Sequence, residues 1–137
     1  MLDLYPNEVK LVVKHFPLKS HALARESARA ALAAFSQGKF WEFHHSLFEN
    51  QKDINTAKIQ EIAKELHLDM EKFNRDMKSS YIENLINRDI KDGMQIGIPG
   101  TPTVFINGKF LKNINFPEFA NMIENEIEKK QIARPPF

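Results

Sequence analysis

The side chains that could bind a metal ion or catalyse a reaction are few in this sequence, and they are scattered. Five histidines occur among its 137 residues, and two of them, His44 and His45, are adjacent. Neighbours on a helix point about 100° apart, so this pair cannot chelate one ion. His15, His21 and His67 lack the mutual spacing of a zinc site. We therefore expect no metal site and no cofactor.

Cysteine is absent from all 137 residues. Its absence excludes disulfide bonds, a thiolate nucleophile and cysteine-ligated metal within this sequence. None of the serines lies in the nucleophile-elbow context of a hydrolase. The sequence therefore predicts no catalytic residue.

The composition is that of one globular domain. Hydrophobic residues make up 42% and charged residues 27%, and 19 Lys and Arg nearly balance 18 Asp and Glu. This balance gives no indication of the basic face of a nucleic-acid-binding protein. No apolar run is long enough to span a membrane, and no signal peptide opens the sequence. We expect neither a nucleic-acid nor a membrane partner.

The periodicity of apolar residues predicts a strand followed by several helices. Residues 9–16 form a mostly apolar run that favours a strand covered on both faces. Four or five helices follow up to Gly97. The expected N-caps are Ser20, either Asn55 or Thr56, and Asp69, and Ser80 is expected to begin the fifth helix. The second helix carries an aromatic face that we interpret as core rather than as a ligand groove, and it comprises Phe40, Trp41, Phe43 and Phe48.

The pattern then changes to that of a hairpin. Residues 103–106 read as a strand, Asn107-Gly108 is a strong turn signal, and residues 109–112 read as a more exposed return strand. A final helix is predicted from Phe116 to about Lys130. Residues 131–137 form a tail.

The segment around this hairpin resembles a known family. Residues 97–109, Gly-Ile-Pro-Gly-Thr-Pro-Thr-Val-Phe-Ile-Asn-Gly-Lys, look like the cis-proline loop and hairpin of DsbA-like thiol–disulfide oxidoreductases in the thioredoxin superfamily. Further segments agree with the same family in the right order, namely residues 14–18, 38–44, 66–73 and 89–97.

The resemblance implies an α/β fold, an incomplete thioredoxin-like fold with a DsbA-type helical insertion. The domain covers residues 1–130, with the insertion at about 20–97. The family's first strand and the Cys-x-x-Cys helix have no counterpart among these residues. We therefore expect an N-terminally truncated oxidoreductase domain without redox activity of its own.

The resemblance also implies a binding site and a way of assembling. Gly100, Thr101 and Pro102 would form the substrate-binding loop, with a cis bond before the proline and an extended peptide or protein substrate paired alongside. Because the missing first strand would be central in the sheet, we expect the chain to form a homo-oligomer that covers the exposed strand edges.

Two other functions stay open. The chain could be a non-catalytic peptide-binding or assembly module, or a relative of the kappa-type glutathione transferases and isomerases, which share the insertion and a similar proline loop. The family resemblance implies a periplasmic or other extracytoplasmic location, although the sequence itself shows no signal peptide.

Overall fold

The computed structural model describes residues 2–132, which form six helices and one short hairpin. The last residues of the predicted tail, 133–137, lie outside the described part. None of the described helices is long and apolar enough to cross a membrane. The elements, in chain order, are α1 Ala24–Phe35, α2 Phe40–Glu49, α3 Thr56–Glu65, α4 Met70–Met77, α5 Ser80–Gln95, β1 Phe105–Ile106, β2 Lys109–Phe110 and α6 Phe116–Ile132.

The chain divides into two compact units. The helical unit is the continuous segment Lys14–Gly97 and contains α1 to α5. The hairpin unit combines Met1–Val13 with Ile98–Phe137, and so contains the hairpin and α6. The predicted domain of residues 1–130, with its insertion at about 20–97, stays a prediction.

Side-chain caps define where several helices begin. Asn55 accepts a hydrogen bond from the backbone N–H of Lys58, and Asp69 accepts one from that of Lys72. Ser79 caps α5 in the same way, and α5 begins at Ser80 as predicted. Each cap satisfies an N–H that the first helical turn leaves free, which is worth about 1 kcal/mol.

The first helix begins later than predicted. Ser20 does not cap it, because residues 18–23 form turns in which His21 N–H bonds to Leu18 O and Ala24 N–H bonds to His21 O. Leu23 precedes α1 and makes no side-chain cap. At the other end, Gly38 has φ +73°, a conformation that glycine adopts without steric cost, and it stops the helix as predicted.

The core of the helical unit is built on a stripe of alanines. Small residues on α1 let the other helices approach closely, and the Phe43 and Phe73 rings pack at 5.6 Å between centroids. Burying each such ring fully is worth about 1.5–3 kcal/mol. The fully or nearly fully buried residues of this cluster include Ala30, Ala33, Ala34, Phe43, Ile59, Ile62, Phe73 and Ile86.

The predicted strand over residues 9–16 is not formed. Within residues 2–132 the sheet has two strands, β1 and β2, and residues 9–18 have no regular secondary structure. A strand exists only when its backbone groups pair with a neighbour, and periodicity alone does not supply that neighbour.

The hairpin forms where the sequence predicts it, and it is short. Phe105 lies opposite Phe110 and Ile106 opposite Lys109 in antiparallel register. One further bond, from Leu111 N–H to Val104 O at 2.9 Å, extends the pairing by one step. Asn107 and Gly108 both have positive φ, +48° and +77°, as a two-residue type I′ turn requires.

Candidate functional site

The loop between α5 and β1 carries the predicted site residues Gly100, Thr101 and Pro102. The peptide bond between Thr101 and Pro102 is cis, in agreement with the expectation. Thr101 and Pro102 are exposed, and Gly100 is half-buried. The Thr103 hydroxyl donates to the Gly100 carbonyl at 2.6 Å and so closes the loop across the proline.

The backbone of Thr101 is open to a ligand. Among the described residues, neither its N–H nor its C=O forms a hydrogen bond with the protein. Its side chain is likewise not engaged in the hydrogen bonds of this loop. One exposed N–H and C=O pair beside a hairpin can bind the backbone of an extended polypeptide in the manner of an added strand.

Charged contacts from α6 position the hairpin tip. Glu126 forms ion pairs with Lys109 and with Lys129, and it accepts a hydrogen bond from the Asn107 amide at 3.2 Å. The hydrogen bond from Lys109 is the main cause that lowers the pKa of Glu126 to about 2. The turn of the hairpin is therefore fixed to α6 through one carboxylate.

The N-terminal segment is joined to the same helix. The Tyr5 hydroxyl donates to Glu124 Oε1 at 2.6 Å, and this hydrogen bond is the main cause that raises the Tyr5 pKa. The contact joins residues that are 119 positions apart. It connects the first residues of the hairpin unit to its last helix.

An open pocket of about 310 Å³ lies between β2 and α6. Its wall combines polar and apolar side chains, and the Asn113 amide donates to Glu118 Oε1 at 2.5 Å across it. The pocket is not lined by Gly100, Thr101 or Pro102. The predicted substrate loop is therefore an exposed surface, separate from this pocket.

The aromatic residues of α2 do not all belong to the core. Phe43 is fully buried, as predicted, but Trp41 is 48% exposed and Phe48 is 60% exposed. The interpretation of this face as core was wrong for these two residues. They project from the side of α2 opposite to Phe43, because successive helical residues turn by about 100°.

Two histidines contact this aromatic face. The His44 ring lies 4.9 Å from the Phe48 ring and 5.9 Å from the Trp41 ring, measured between centroids. The His15 ring meets Phe40 edge-on at 6.1 Å. Burial is the main cause that lowers the pKa of both His15 and His44, and it favours the neutral form of each ring.

Sequence reasoning missed Asp89, the buried carboxylate behind His15. It is 7% exposed and accepts the backbone N–H of His15 at 3.0 Å. Two positively charged groups lie near Asp89 Oδ1, namely Lys14 Nζ at 3.4 Å and Arg88 Nη2 at 3.3 Å. A lone aspartate on a helix gave no signal in the sequence. Among residues 2–132, no group of three His, Asp or Glu side chains is arranged to hold a metal ion.

Several curated relatives are much longer than this chain. A Na(+)/H(+) antiporter NhaA 1 of Mycolicibacterium vanbaalenii is 36% identical over 107 residues, which is 76% of this chain and 17% of the antiporter. An NhaA 3 of Salinispora tropica is 34% identical over 102 residues, and an NhaA of Herminiimonas arsenicoxydans is 32% identical over 108. The chain spans about a sixth of the length of these relatives.

A solved structure and a family model identify the fold. A thioredoxin-like oxidoreductase from Silicibacter pomeroyi superposes with a TM-score of 0.78 at 27% identity, over 93% of this chain and 73% of that one. The model of the DSBA-like thioredoxin domain matches residues 1–124. These matches confirm the resemblance and the α/β, incomplete thioredoxin-like fold class. The chain belongs to the DSBA-like thioredoxin domain family.

Proposed function

We propose that this DsbA-like domain binds an extended polypeptide segment at Gly100, Thr101 and Pro102, and that its 137 residues do not exchange thiols by themselves. The observation that supports binding is the Thr101 backbone, whose N–H and C=O form no hydrogen bond within the described residues. Both groups lie on an exposed loop that leads directly into β1.

The proposed contact is a short strand addition. A segment that lies along Thr101 donates its N–H to the Thr101 carbonyl and accepts the Thr101 N–H. Backbone groups carry such a contact, so it tolerates many side chains. Each neutral hydrogen bond is worth only about 0.5–1.5 kcal/mol net, so the affinity of this loop alone is low.

The second half of the proposal rests on sulfur chemistry. Thiol–disulfide exchange requires a thiolate that attacks a disulfide sulfur. The sequence contains no cysteine, and no other side chain supplies this couple. In this chain the loop therefore contributes binding, and any exchange would depend on thiols supplied from elsewhere.

The binding half is tested by amide NMR of ¹⁵N-labelled protein, titrated with reduced, carboxymethylated α-lactalbumin as an extended polypeptide without free thiols. We expect chemical-shift changes that cluster at Thr101 and Thr103. Thr101→Ala keeps both backbone groups and should bind as the parent does. Thr101→Pro removes the N–H donor and should weaken binding severalfold. Shifts that avoid residues 100–104 would contradict the proposal.

The redox half is tested by the reduction of insulin with dithiothreitol. The rate should be the same with and without the chain. A saturable acceleration would overturn this half and would leave the binding half to its own experiment.

The antiporter relatives favour a second candidate, an accessory module. The matched region is about a sixth of each antiporter, and none of the described helices in this chain could span a membrane. We propose that such a domain can work attached to a larger protein, without catalysis. Replacing the matching region of the Mycolicibacterium vanbaalenii protein with this chain should preserve Na⁺/H⁺ exchange in vesicles, and loss of exchange would contradict this candidate.

The proposal includes an extracytoplasmic location, because that is the usual setting of DsbA-like proteins. Fusing alkaline phosphatase, which is active only outside the cytoplasm, to the full-length protein would test it. An inactive fusion would contradict this part of the proposal.

A further inference from the structure

The open pocket between β2 and α6 takes no part in the proposed peptide site. It lies entirely within the hairpin unit, and none of its lining residues belongs to β1. The family resemblance places the missing first strand beside β1, on the side away from β2. The absence of that strand therefore does not create this pocket.

One wall of the pocket is the outer edge of the hairpin. Leu111 N–H bonds to Val104 O at 2.9 Å, and Phe110 lies opposite Phe105 in the ladder. Bonded and non-bonded pairs alternate along an antiparallel ladder, so the N–H and C=O of Phe110 point away from β1. Within residues 2–132, the N–H and C=O of Lys112 bond to no backbone group either. This wall therefore offers backbone donors and acceptors in fixed positions.

The other wall is a face of α6 that carries two asparagines. Asn121 and Asn125 are one helical turn apart and both line the pocket. Neither side-chain amide forms a hydrogen bond with another group among the described residues. Each amide has two N–H donors and a carbonyl acceptor. Both walls therefore combine donors with acceptors that the protein itself does not use.

The rest of the lining is apolar or balanced in charge. Leu111 is 3% exposed and Met122 is half-buried. Lys112 and Glu118 carry opposite charges, and the Glu118 carboxylate already accepts the Asn113 amide at 2.5 Å. The pocket as a whole is therefore uncharged.

These features argue against most classes of ligand. An anion would meet the carboxylate of Glu118, and a cation would meet the ammonium of Lys112. An apolar ligand would remove water from the amides and the backbone groups without replacing their hydrogen bonds. An added strand would find a very short edge, and a lysine on an edge strand opposes such pairing. A small neutral ligand with many hydrogen-bonding groups satisfies every wall.

We propose that this pocket binds a neutral monosaccharide in its pyranose form. A sugar hydroxyl both donates and accepts, so two neighbouring hydroxyls bond to the N–H and the C=O of one amide at the same time. The C–H groups of the ring pack on Leu111 and Met122. The volume of about 310 Å³ is at the lower end of the range of about 300–1,000 Å³ for ligand pockets, which suits a ligand of this size.

Side-chain amide NMR of the ¹⁵N-labelled chain tests the site directly. Separate titrations with D-glucose, D-galactose and D-mannose should shift the side-chain amide signals of Asn121 and Asn125, and the shifts should saturate with at least one sugar. The dissociation constant should be millimolar, because a small ligand in an open pocket forms few bonds. Shifts that stay linear with all the sugars, or that avoid these two residues, would overturn the proposal.

Asn121→Ala and Asn125→Ala each remove one amide. Each should weaken the binding of the preferred sugar about tenfold, because the hydrogen bonds of one amide are lost. Alanine favours a helix more than asparagine does, so neither variant should unfold α6. Lys130→Ala is the control, because Lys130 is exposed on α6 and points about 180° away from Asn121. An equal loss of affinity in the control would overturn the site.

Other small molecules test the class of ligand. Sodium phosphate, L-alanine and adenosine represent an anion, a zwitterion and a flat base that also combines donors with acceptors. Each should shift the Asn121 and Asn125 amides less than the preferred sugar does at equal concentration. Tighter binding of any of them at these amides would overturn the assignment to a sugar.

The inference is independent of the proposed peptide site, because it uses no residue of the loop 100–102. The carboxymethylated α-lactalbumin of the peptide experiment should therefore leave the Asn121 and Asn125 amides unshifted. Shifts of these amides with that polypeptide would assign the pocket to a peptide and would overturn the sugar proposal.

Discussion

Asp89 Oδ2 accepts the backbone N–H of His15 at 3.0 Å, although 74 positions separate the two residues in the chain. The carboxylate lies on α5 and is almost fully buried, and His15 lies in a stretch without regular structure. This single bond fixes the start of the helical unit to its last helix. The irregular segment therefore has one defined anchor.

Removing that carboxylate should destabilise the helical unit. Asp89→Ala leaves the His15 N–H without a partner at a half-buried position, and such a loss costs about 1–3 kcal/mol. Asp89→Asn keeps an oxygen that can accept the bond and should cost less. Urea unfolding followed by circular dichroism gives both free energies.

Asp92→Ala is the matched control for this pair, because Asp92 also binds Lys14 but is 44% exposed in its side chain. It should change the free energy of unfolding by no more than about 0.5 kcal/mol. If the Asp92 variant lost as much stability as the Asp89 variant, the buried hydrogen bond would not be the cause.

Because of the ion pairs between α1 and α5, the free energy of unfolding should decrease at acid pH. Glu83 accepts bonds from Arg25 Nε at 3.0 Å and Arg29 Nε at 2.8 Å, and the Arg25 hydrogen bond is the main cause that lowers the Glu83 pKa. The pKa of Glu83 is lower in the folded state than in the unfolded state. Its contribution to the free energy of unfolding is therefore fully present above about pH 4.5 and is lost as the pH falls through the folded-state pKa.

Glu83→Gln should therefore unfold more easily than the parent at pH 7, and the difference should shrink below the folded pKa. Melting temperatures measured between pH 7 and pH 2.5 would show this convergence. A difference that stays constant over the whole range would mean that the charge of Glu83 contributes nothing.

The titration of His44 should be visible in the fluorescence of Trp41. Trp41 is the single tryptophan, and its ring lies 5.9 Å from that of His44. Burial lowers the His44 pKa, so the emission should change with a midpoint below the value of about 6.5 for a free histidine. His44→Gln should abolish the change, and the exposed His21→Gln should leave it intact.

The same histidine should affect stability at mildly acid pH. As the pH falls, His44 is protonated first in the unfolded state, because its pKa is higher there than in the folded state. His44 therefore reduces stability as the pH falls from about 6.5 through the folded pKa. Denaturant unfolding at pH 7.5 and pH 5 should show a smaller loss for His44→Gln than for the parent.

The hairpin turn should be sensitive to its glycine. Gly108 has φ +77° and no atom lies within 4 Å of where a Cβ would be, so a substitution meets strain in the backbone and no steric clash. Gly108→Ala should cost about 1–2 kcal/mol. Gly108→Asn should cost less, because asparagine tolerates this conformation better. Thermal melts would rank the stabilities of the two variants. A lower melting temperature for Gly108→Asn than for Gly108→Ala would contradict the backbone explanation.

Local signals in the sequence predicted the elements that depend on local chemistry. Asn55 and Asp69 cap helices where a side chain reaches an N–H three residues later, and Asn107-Gly108 makes the turn that its φ angles require. The cis-proline loop was predicted by resemblance, because one tripeptide alone has no such preference.

Features that depend on distant partners were not predictable in this way. Residues 9–16 read as a strand, but a strand needs a neighbour that the described residues do not provide. Trp41 and Phe48 are large apolar residues of the kind that form cores. Which rings of α2 are buried depends, however, on which face of the helix packs against its neighbours. The role of Asp89 depends on the position of His15, which is distant in the sequence.

The division of the chain into units also sets an order of events during synthesis. The helical unit is continuous from Lys14 to Gly97, so all of its contacts are available once that segment has left the ribosome. The hairpin unit needs residues from both sides of it, and the Tyr5–Glu124 bond closes a separation of 119 positions. Contacts between residues distant in sequence form slowly. The helical unit should therefore fold first, because the contact of Tyr5 with Glu124 can form only after α6 has also been translated.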